Sequence, residues 1–469
     1  MKKEKIVRLV FLTFFSGLII KAGAEYKHIP VRATDTYEGM SINVRDFGAK
    51  GDGITDDTES IKAAVKAAFE RRRIPLHPQY GYFVSFSEVY FPNGHYIISD
   101  TIDINAVNIR GEAYAAIEQK DPEKDIFYNP DAWRQKIEGM TFLGGRIQLN
   151  LGNNNIDTGH ITVRDCHFKN SRDVAVKMRK GSNSTFFKVG NCVFWNCMQS
   201  VISHCDMTVI KDCWISTSKE MKNKAVIENY GVMHIENLLG VPNVSRDEGF
   251  SEEWTDPNGI KRVASNQRWV DNYSVLHIRN SRFGGEGGGF SAVYNFAKYQ
   301  NTYPVTPNSI TIESSYLYNA QSTAVVLKEI PNVITITNNH GLPDAWMIRV
   351  DPALNLDTYF DNEKYPKFPY KVSINISNNY GGFGSGLPEQ LWPYQINEIV
   401  ADRPPQKGNW ERGQFIRNSN LEKYYDQQAG WVWVKKQAIE EPYGWLCIES
   451  GKPGKWQPVY YLLTPVKQQ

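Results

Sequence analysis

Thr162-Val163-Arg164-Asp165-Cys166 is followed 26 residues later by Lys188-Val189-Gly190-Asn191-Cys192, and then by Val209-Ile210-Lys211-Asp212-Cys213. The same apolar core, ending in or near a small or amide residue, comes earlier at Val107-Asn108-Ile109-Arg110-Gly111 and Lys136-Ile137-Glu138-Gly139-Met140. It returns at His234-Ile235-Glu236-Asn237, His277-Ile278-Arg279-Asn280, Thr311-Ile312-Glu313-Ser314, Thr335-Ile336-Thr337-Asn338-Asn339 and Asn375-Ile376-Ser377-Asn378-Asn379. Counted between the central Ile or Val residues, the steps are 28, 26, 26, 21, 25, 43, 34, 24 and 40. One strand-sized unit every 20–30 residues or so predicts a solenoid. The longer steps read as the same unit carrying insertions on one side.

Residues 1–24 read as an export signal. Lys2, Lys3, Lys5 and Arg8 form a basic head, Leu9 to Ile20 an apolar core, and Ala22-Gly23-Ala24 a small-residue cleavage site. The apolar stretch is short for a membrane span, and no other segment approaches that length. The expected location is therefore secreted or periplasmic. Removing this segment takes five positive charges and one negative from the formal +2. The remainder is near neutral, with no basic tail that would fit a nucleic-acid partner.

Five of the six cysteines lie between positions 166 and 213, and Cys166, Cys192 and Cys213 share one place in the repeat. On neighbouring parallel strands they should stack inward about 4.8 Å apart. That predicts a buried thiol ladder, since in-register strands offer poor disulfide geometry.

Upstream of the repeat, residues 41–58 contain Val44-Arg45-Asp46-Phe47-Gly48-Ala49-Lys50-Gly51-Asp52-Gly53 and Thr55-Asp56-Asp57-Thr58. A helix should follow, with Asp56 and Glu59 spaced as a capping box and Ile61, Ala64, Val65 and Ala68 on one face. These phrases, with the Phe91-Pro92-Asn93-Gly94-His95-Tyr96 turn, resemble the pectate-lyase-like superfamily. The resemblance runs from residue 41 to about 382. It implies an all-β chain: a right-handed parallel β-helix of about ten coils, capped by an N-terminal helix. The opening motif is specific for fold and poor for reaction, because lyases, glycoside hydrolases and phage tailspikes share it. The expected organisation is a catalytic β-helix over 25–385, a linker over 386–411 and a small β module over 412–469. That module carries Trp431, Trp433, Trp445 and Trp456, and reads as a cap on the solenoid end before a sugar-binding unit.

The resemblance gives each coil three strands, with the recurring phrase as the second and the catalytic cleft along the first. Two first strands match each other closely. Ile227-Glu228-Asn229-Tyr230 precedes His234 by the spacing with which Val270-Asp271-Asn272-Tyr273 precedes His277. Glu228 and Asp271 are then expected side by side, roughly 5 Å apart. Carboxylates that close call for a cation, so the pair is a candidate Ca²⁺ site or an acid/base pair. Lys328 and Arg349 end successive first strands, reminiscent of the Lys and Arg that act as base and acid in β-helical alginate and chondroitin lyases. Gln321 and Thr323 stand where that likeness expects acidic metal ligands. His204 and Tyr294 join Lys328 and Arg349 as catalytic candidates. Lys177, Arg179, Trp254, Asn229 and Asn272 are the expected substrate contacts. On the second strands, His234, Glu236, His277 and Arg279 form a patch with the signs of cross-strand ion pairing, flanked by Lys211 and Glu313.

The insertions at 240–267, 284–308 and 341–370, with aromatics including Trp346, Tyr359 and Tyr365, bracket these coils, and loops on a rigid scaffold are where sites are built. The leading expectation is a polysaccharide lyase acting on a uronate-containing chain. Lys328 would be its base if neighbouring cations lower its pKa. A glycoside hydrolase using Glu228 and Asp271 is the rival, although the Asn-Thr-Asp, Gly-His-Gly and Arg-Ile-Lys phrases of polygalacturonases are missing. A non-catalytic glycan-binding protein is the third reading. The oligomeric state stays open.

Overall fold

The computed structural model describes residues 41–469, apart from 72, 78–81, 86, 105, 131–132, 153–157, 181–183, 222, 244–250, 257, 266, 285–289, 297–307, 318–322, 342–345, 360–371, 381–383, 420–441 and 461–469. The expected export signal lies outside these residues, as do Gln321, Tyr365, Trp431 and Trp433. No helix among the described residues is long and apolar enough to cross a membrane.

All ten recurring phrases fall on one parallel sheet of 12 strands. Their central residues pair in a single line, from Ile109 through Ile137, Val163, Val189 and Ile210 to Ile235. The line continues through Ile278, Ile312 and Ile336 to Ile376. Two further parallel sheets, of 10 and 11 strands, complete a right-handed parallel β-helix. In chain order each coil runs from the 10-stranded sheet (first) to the phrase sheet (second) to the 11-stranded sheet (third). Ala225–Asn229, Val232–Glu236 and Leu239–Val241 make one such coil.

The amide or small residue at the end of each phrase has a backbone cause. Asp165, Asn191, Asp212, Asn237, Asn280, Ser314, Asn338 and Asn378 all have φ between 48° and 58°. That left-handed conformation favours Asn and Asp, and it turns the chain from the second sheet to the third in a single residue. Their side chains also bond between coils: Asn191 donates to Asp165 (2.6 Å) and Asn237 to Asp212 (2.8 Å).

Apolar ladders fill the interior. Phe142, Phe168 and Phe194 stack with centroids 5.1 and 4.9 Å apart, each fully buried. Burying such a ring contributes roughly 1.5–3 kcal/mol. Cys166, Cys192 and Cys213 form the expected buried column of free thiols. Where Trp269 enters the core, the facing position is Gly240, and a Cβ there would stand 2.7 Å from the indole.

Both ends are closed. The helix Thr58–Arg71 buries Ile61, Ala64, Val65 and Ala68, the expected face. The capping box is not formed, because the Asp56 carboxylate accepts from the Thr58 amide and the Ser99 hydroxyl, while Glu59 pairs with Lys62. Asp57 instead accepts the Lys50 and Gly51 amides (2.6 and 2.9 Å), tying the glycine-rich opening to the helix start.

At the other end, the segment expected as a linker divides between two cores. Leu387 and Leu391 belong to the β-helix core. Ile399, Ala401 and Trp410 pack with Ile416, Trp445 and Cys447 in the terminal module. Gln395 bridges to Ile374 and Asn397 donates to Asn375, so the edge of the second sheet is covered.

Candidate functional site

The insertions leave the helix at the two corners beside the first sheet, between third and first strands (242–267) and between first and second strands (351–372). This sheet also departs from simple alternation. Ala175 and Val176, Val226 and Ile227, and Trp269 and Val270 are consecutive pairs that both enter the core. In these three strands the alternation is broken, and residues three apart come to one face, as Arg268 and Asp271 do. One outward column runs Asn150, Lys177, Ile202, Glu228, Asp271, Tyr294, Val326, Arg349. At the rim, a second column runs Arg179, His204, Tyr230, Tyr273, Phe296, Lys328, Asp351, each amide bonded to the preceding coil.

Glu228 and Asp271 pair directly in register, as expected. Their oxygens are already engaged. Gln199 Nε2 donates to Glu228 Oε1 (2.8 Å) and the Tyr230 hydroxyl to Oε2 (3.0 Å). Arg268 clamps both oxygens of Asp271, at 2.6 and 2.8 Å. Burial pushes the Asp271 carboxyl up against the pull of Arg268, and Glu228 adds to the rise. With both Asp271 oxygens held by Arg268 and both Glu228 oxygens held by Gln199 and Tyr230, the pair does not offer the free oxygen ligands that Ca²⁺ takes.

Lys328 and Arg349 lie one coil apart in different columns, and they converge on Tyr294. Arg349 Nη2 donates to the Tyr294 hydroxyl at 3.3 Å, and Lys328 Nζ stands 5.5 Å from its ring centroid. Lys328 Nζ is paired with the Asp351 carboxylate at 2.6 Å. Burial works against ionisation of Asp351, but Lys328 and the Ala353 amide outweigh it and hold the carboxyl below its usual range. Tyr294 and Arg349 are buried. Trp254, on the inserted hairpin Ser251–Thr255/Lys261–Ser265, is buried against Trp346, with Arg349 5.4 Å from its ring centroid. It clamps this end of the sheet and presents no open face to a sugar. Asn229 and Asn272 are not surface contacts either. They are buried at the corner, where Asn229 donates to Asn272 and Asn272 to Asn295, both at 2.8 Å.

His204 lies four coils from Lys328 along the rim, roughly 19 Å by strand spacing. Its imidazole stacks on Tyr230 at 4.1 Å, and the stack continues to Tyr273 (4.6 Å) and Phe296 (4.9 Å). Burial, then the charges of Lys177 and Lys180, holds His204 down at about 4, so it is neutral at pH 7. Burial and the Glu228 carboxylate push the Tyr230 phenol well above its ordinary range. Lys177, Arg179 and Lys180 are partly or fully exposed and make no ion pair with any described carboxylate. Arg179 lies 5.7 Å from the Tyr128 ring.

The expected residues thus separate into two groups, Lys177, Arg179 and His204 on the middle coils of the first sheet, and Tyr294, Lys328, Arg349 and Trp254 towards its last strands. Sequence reasoning missed Arg268 and the aromatic rim. The Tyr230 and Tyr273 pair was visible in the matching strands. Arg268 was hidden by the kink, since regular alternation puts residues 268 and 271 on opposite faces. On the second sheet the ionic patch is as expected, with Glu236 between Lys211 (3.5 Å) and Arg279 (3.1 Å).

Residues 41–123 match the family described as Rhamnogalacturonase A/epimerase, pectate lyase-like. Alginate lyase 7 of Azotobacter vinelandii is 36% identical over 103 residues, 22% of this chain and 10% of that protein. Mannuronan C5-epimerase AlgE3 of the same organism is 34% identical over 103 residues, 22% of this chain and 5% of that protein. The chain therefore spans no more than a tenth of the length of these two relatives. An alginate lyase from Paenibacillus sp. is 12% identical, with 69% of this chain and 97% of that one covered and a TM-score of 0.41. The opening segment, residues 41–123, is thus similar to the pectate-lyase-like family, and the three-sheet coil is a right-handed parallel β-helix.

Proposed function

We propose that this chain is an exported carbohydrate-active enzyme, a lyase that cleaves a uronate-containing polysaccharide by β-elimination on the outward face of the first sheet. The observation that carries the reading is a neutral imidazole, His204, beside three cations that no described carboxylate neutralises. β-Elimination requires that the C6 carboxylate be neutralised, that a base take the C5 proton, and that an acid protonate the leaving O4. Lys177, Arg179 and Lys180 supply the first, stabilising the charge that builds up as C5 loses its proton. His204, unprotonated at neutral pH, accepts that proton. Tyr230, one coil away, keeps its proton and turns it from Glu228 Oε2 to the leaving oxygen. The names of the two curated relatives, for alginate and mannuronan chemistry, agree with a uronate polymer.

Base and acid lie side by side on one face, so the proton leaves and O4 is protonated from the same side. The elimination is syn. Substrates whose C5 hydrogen and C4 oxygen share a face should be cleaved, and their C5 epimers spared. The test is a panel of pectins, alginates and glycosaminoglycans, followed by the absorbance of the unsaturated uronate product. His204→Ala should lower kcat by about 10²–10⁴, whereas Lys328→Ala should leave more than a tenth of the rate. Reducing ends without that absorbance would replace the reading with a hydrolase using Glu228. A dead Lys328→Ala beside an active His204→Ala would move the base to the other end of the sheet.

A further inference from the structure

Ahead of Lys177 the outward column of the first sheet runs back through Asn150 to Tyr128, all three in register. Asn150 is 1% exposed, yet it belongs to the outward side. Its neighbours Leu149 and Leu151 enter the core, and Ile147 packs with Val174 and Ile202 in a separate cluster. Its amide is half satisfied. Nδ2 donates to Asp125 Oδ2 at 2.6 Å, and Arg146 holds both oxygens of that carboxylate, at 2.9 and 3.1 Å. An ionised carboxylate only accepts, which fixes the orientation of the Asn150 amide. The Asn150 Oδ1 atom is buried and has no hydrogen-bond partner. An acceptor left unmet in this way is costly, and it calls for a donor from outside the chain.

The groups around Asn150 select that donor. Tyr128 is partly exposed, and its hydroxyl makes no hydrogen bond among the described residues. Arg179 reaches back across one coil, to 5.7 Å from the Tyr128 ring centroid. The rim position it crosses is Gly152, left-handed at φ 84°, where a Cβ would stand 3.6 Å from Arg179 Cβ. A larger side chain there would crowd the path of the guanidinium. Lys177 and Arg179 pair with no described carboxylate and suit an anion. A water or a neutral sugar would answer Asn150 and leave the cations unmet, whereas an inorganic anion would do the reverse. A uronate carries hydroxyls, an apolar C–H face and a carboxylate on one ring. Asp103, the strand neighbour beyond Tyr128, closes the cationic stretch. We infer that Tyr128, Asn150 and Arg179 form a subsite that takes one uronate residue of the polymer, on the N-terminal side of His204. The choice of polymer rests on the lyase reading; binding here does not require cleavage.

The experiment is calorimetric titration of galacturonate and mannuronate hexamers, each beside its carboxyl-reduced form, into the full chain. His204→Ala is the background, so that the probe stays intact. Tyr128→Ala should weaken binding of the preferred acidic hexamer at least about tenfold. Arg179→Gln should weaken the acidic hexamer, spare the reduced one and flatten the salt dependence. Asn150→Ala should weaken both forms alike, by about three- to tenfold, because it meets a hydroxyl. Arg179 is partly exposed, so its variant gives a reading even if the other two fold poorly. Acidic binding that is unchanged in all three variants but weakened by Lys177→Ala overturns the subsite and leaves the lyase reading standing. An Asn150→Ala change that lowers only the melting temperature overturns that residue's place in it. Binding weakened in the variants of a chain that cleaves no uronate polymer with His204 restored leaves the subsite standing and removes the lyase reading.

Discussion

The Lys328 end of the first sheet and the middle coils around His204 share one scaffold and treat charge in opposite ways. At the Lys328 end Arg268 pairs with Asp271 and Lys328 with Asp351, while Arg349 donates to the Tyr294 hydroxyl under the Trp254 clamp. Around His204, three cations have no described anion, and the imidazole is kept neutral. A closed ionic network has already satisfied the groups it would offer a ligand, and it fixes geometry. Cations left open to solvent contribute little to folding and are available to an acidic ligand. The difference assigns structure to the Lys328 end and chemistry to the coils around His204.

The sharpest way to break this contrast is to remove Arg268. Asp271, 3% exposed, would then remain buried beside Glu228 with no counter-ion. Arg268→Ala should cost about 3–5 kcal/mol in urea or thermal unfolding. Arg268→Met combined with Asp271→Leu should recover most of that loss, because the expense lies in the orphaned charge. A loss below about 1 kcal/mol for Arg268→Ala would mean that this end is not the closed network described above.

The repeat arithmetic was enough to place all ten second strands in register, because one apolar residue per coil must face the core and one left-handed residue must follow it. The helix face and the thiol ladder were legible for the same reason, as periodic burial. The pairing of charges was not. Asp271 lies next to Glu228 by strand spacing, which suggested a cation between them. The kink that brings Arg268 onto the same face depends on Trp269 and Val270 both entering the core, and on Gly240 making room for the indole. Lys328 and Arg349 were set one coil apart correctly, but a two-residue offset between columns gave Lys328 to Asp351. The packing of the segment expected as a linker was hidden for a simpler reason. Its Trp and Pro residues read as irregular chain, while Leu391 and Trp410, buried in two different cores, carry its structure.

The next test uses pH. With a folded value of about 4 against roughly 6.5 in the unfolded chain, His204 is a histidine that the native state prefers neutral. The unfolded state therefore binds the extra proton between these values, and stability rises with pH across them. The contribution is fully present above about pH 6.5 and is lost as the pH falls toward 4. The full shift corresponds to about 3 kcal/mol; partial exposure of the ring brings the expected loss to about 1–2 kcal/mol. His204→Phe, which keeps the stack on Tyr230, should flatten the wild-type stability profile over this window. Profiles that stay parallel would show that His204 titrates normally.

The smallest effect is the most discriminating. Lys177→Ala removes an exposed cation without an ionic partner, so stability should stay within about 0.5 kcal/mol of wild type. If Lys177 binds the uronate carboxylate, KM on an acidic oligosaccharide should rise several-fold, and it should rise in wild type too as salt goes from 0.15 to 1 M. The screening length falls from about 8 to 3 Å over that range. In the same variant the His204 titration, followed by NMR, should move up only slightly from about 4, because burial against Tyr230 is the leading cause of its depression and Lys177 the second. A large upward move would reverse that order and make the cations the main reason that His204 is neutral. An unchanged KM would separate the open cations from substrate binding and remove the functional half of the contrast between the two regions.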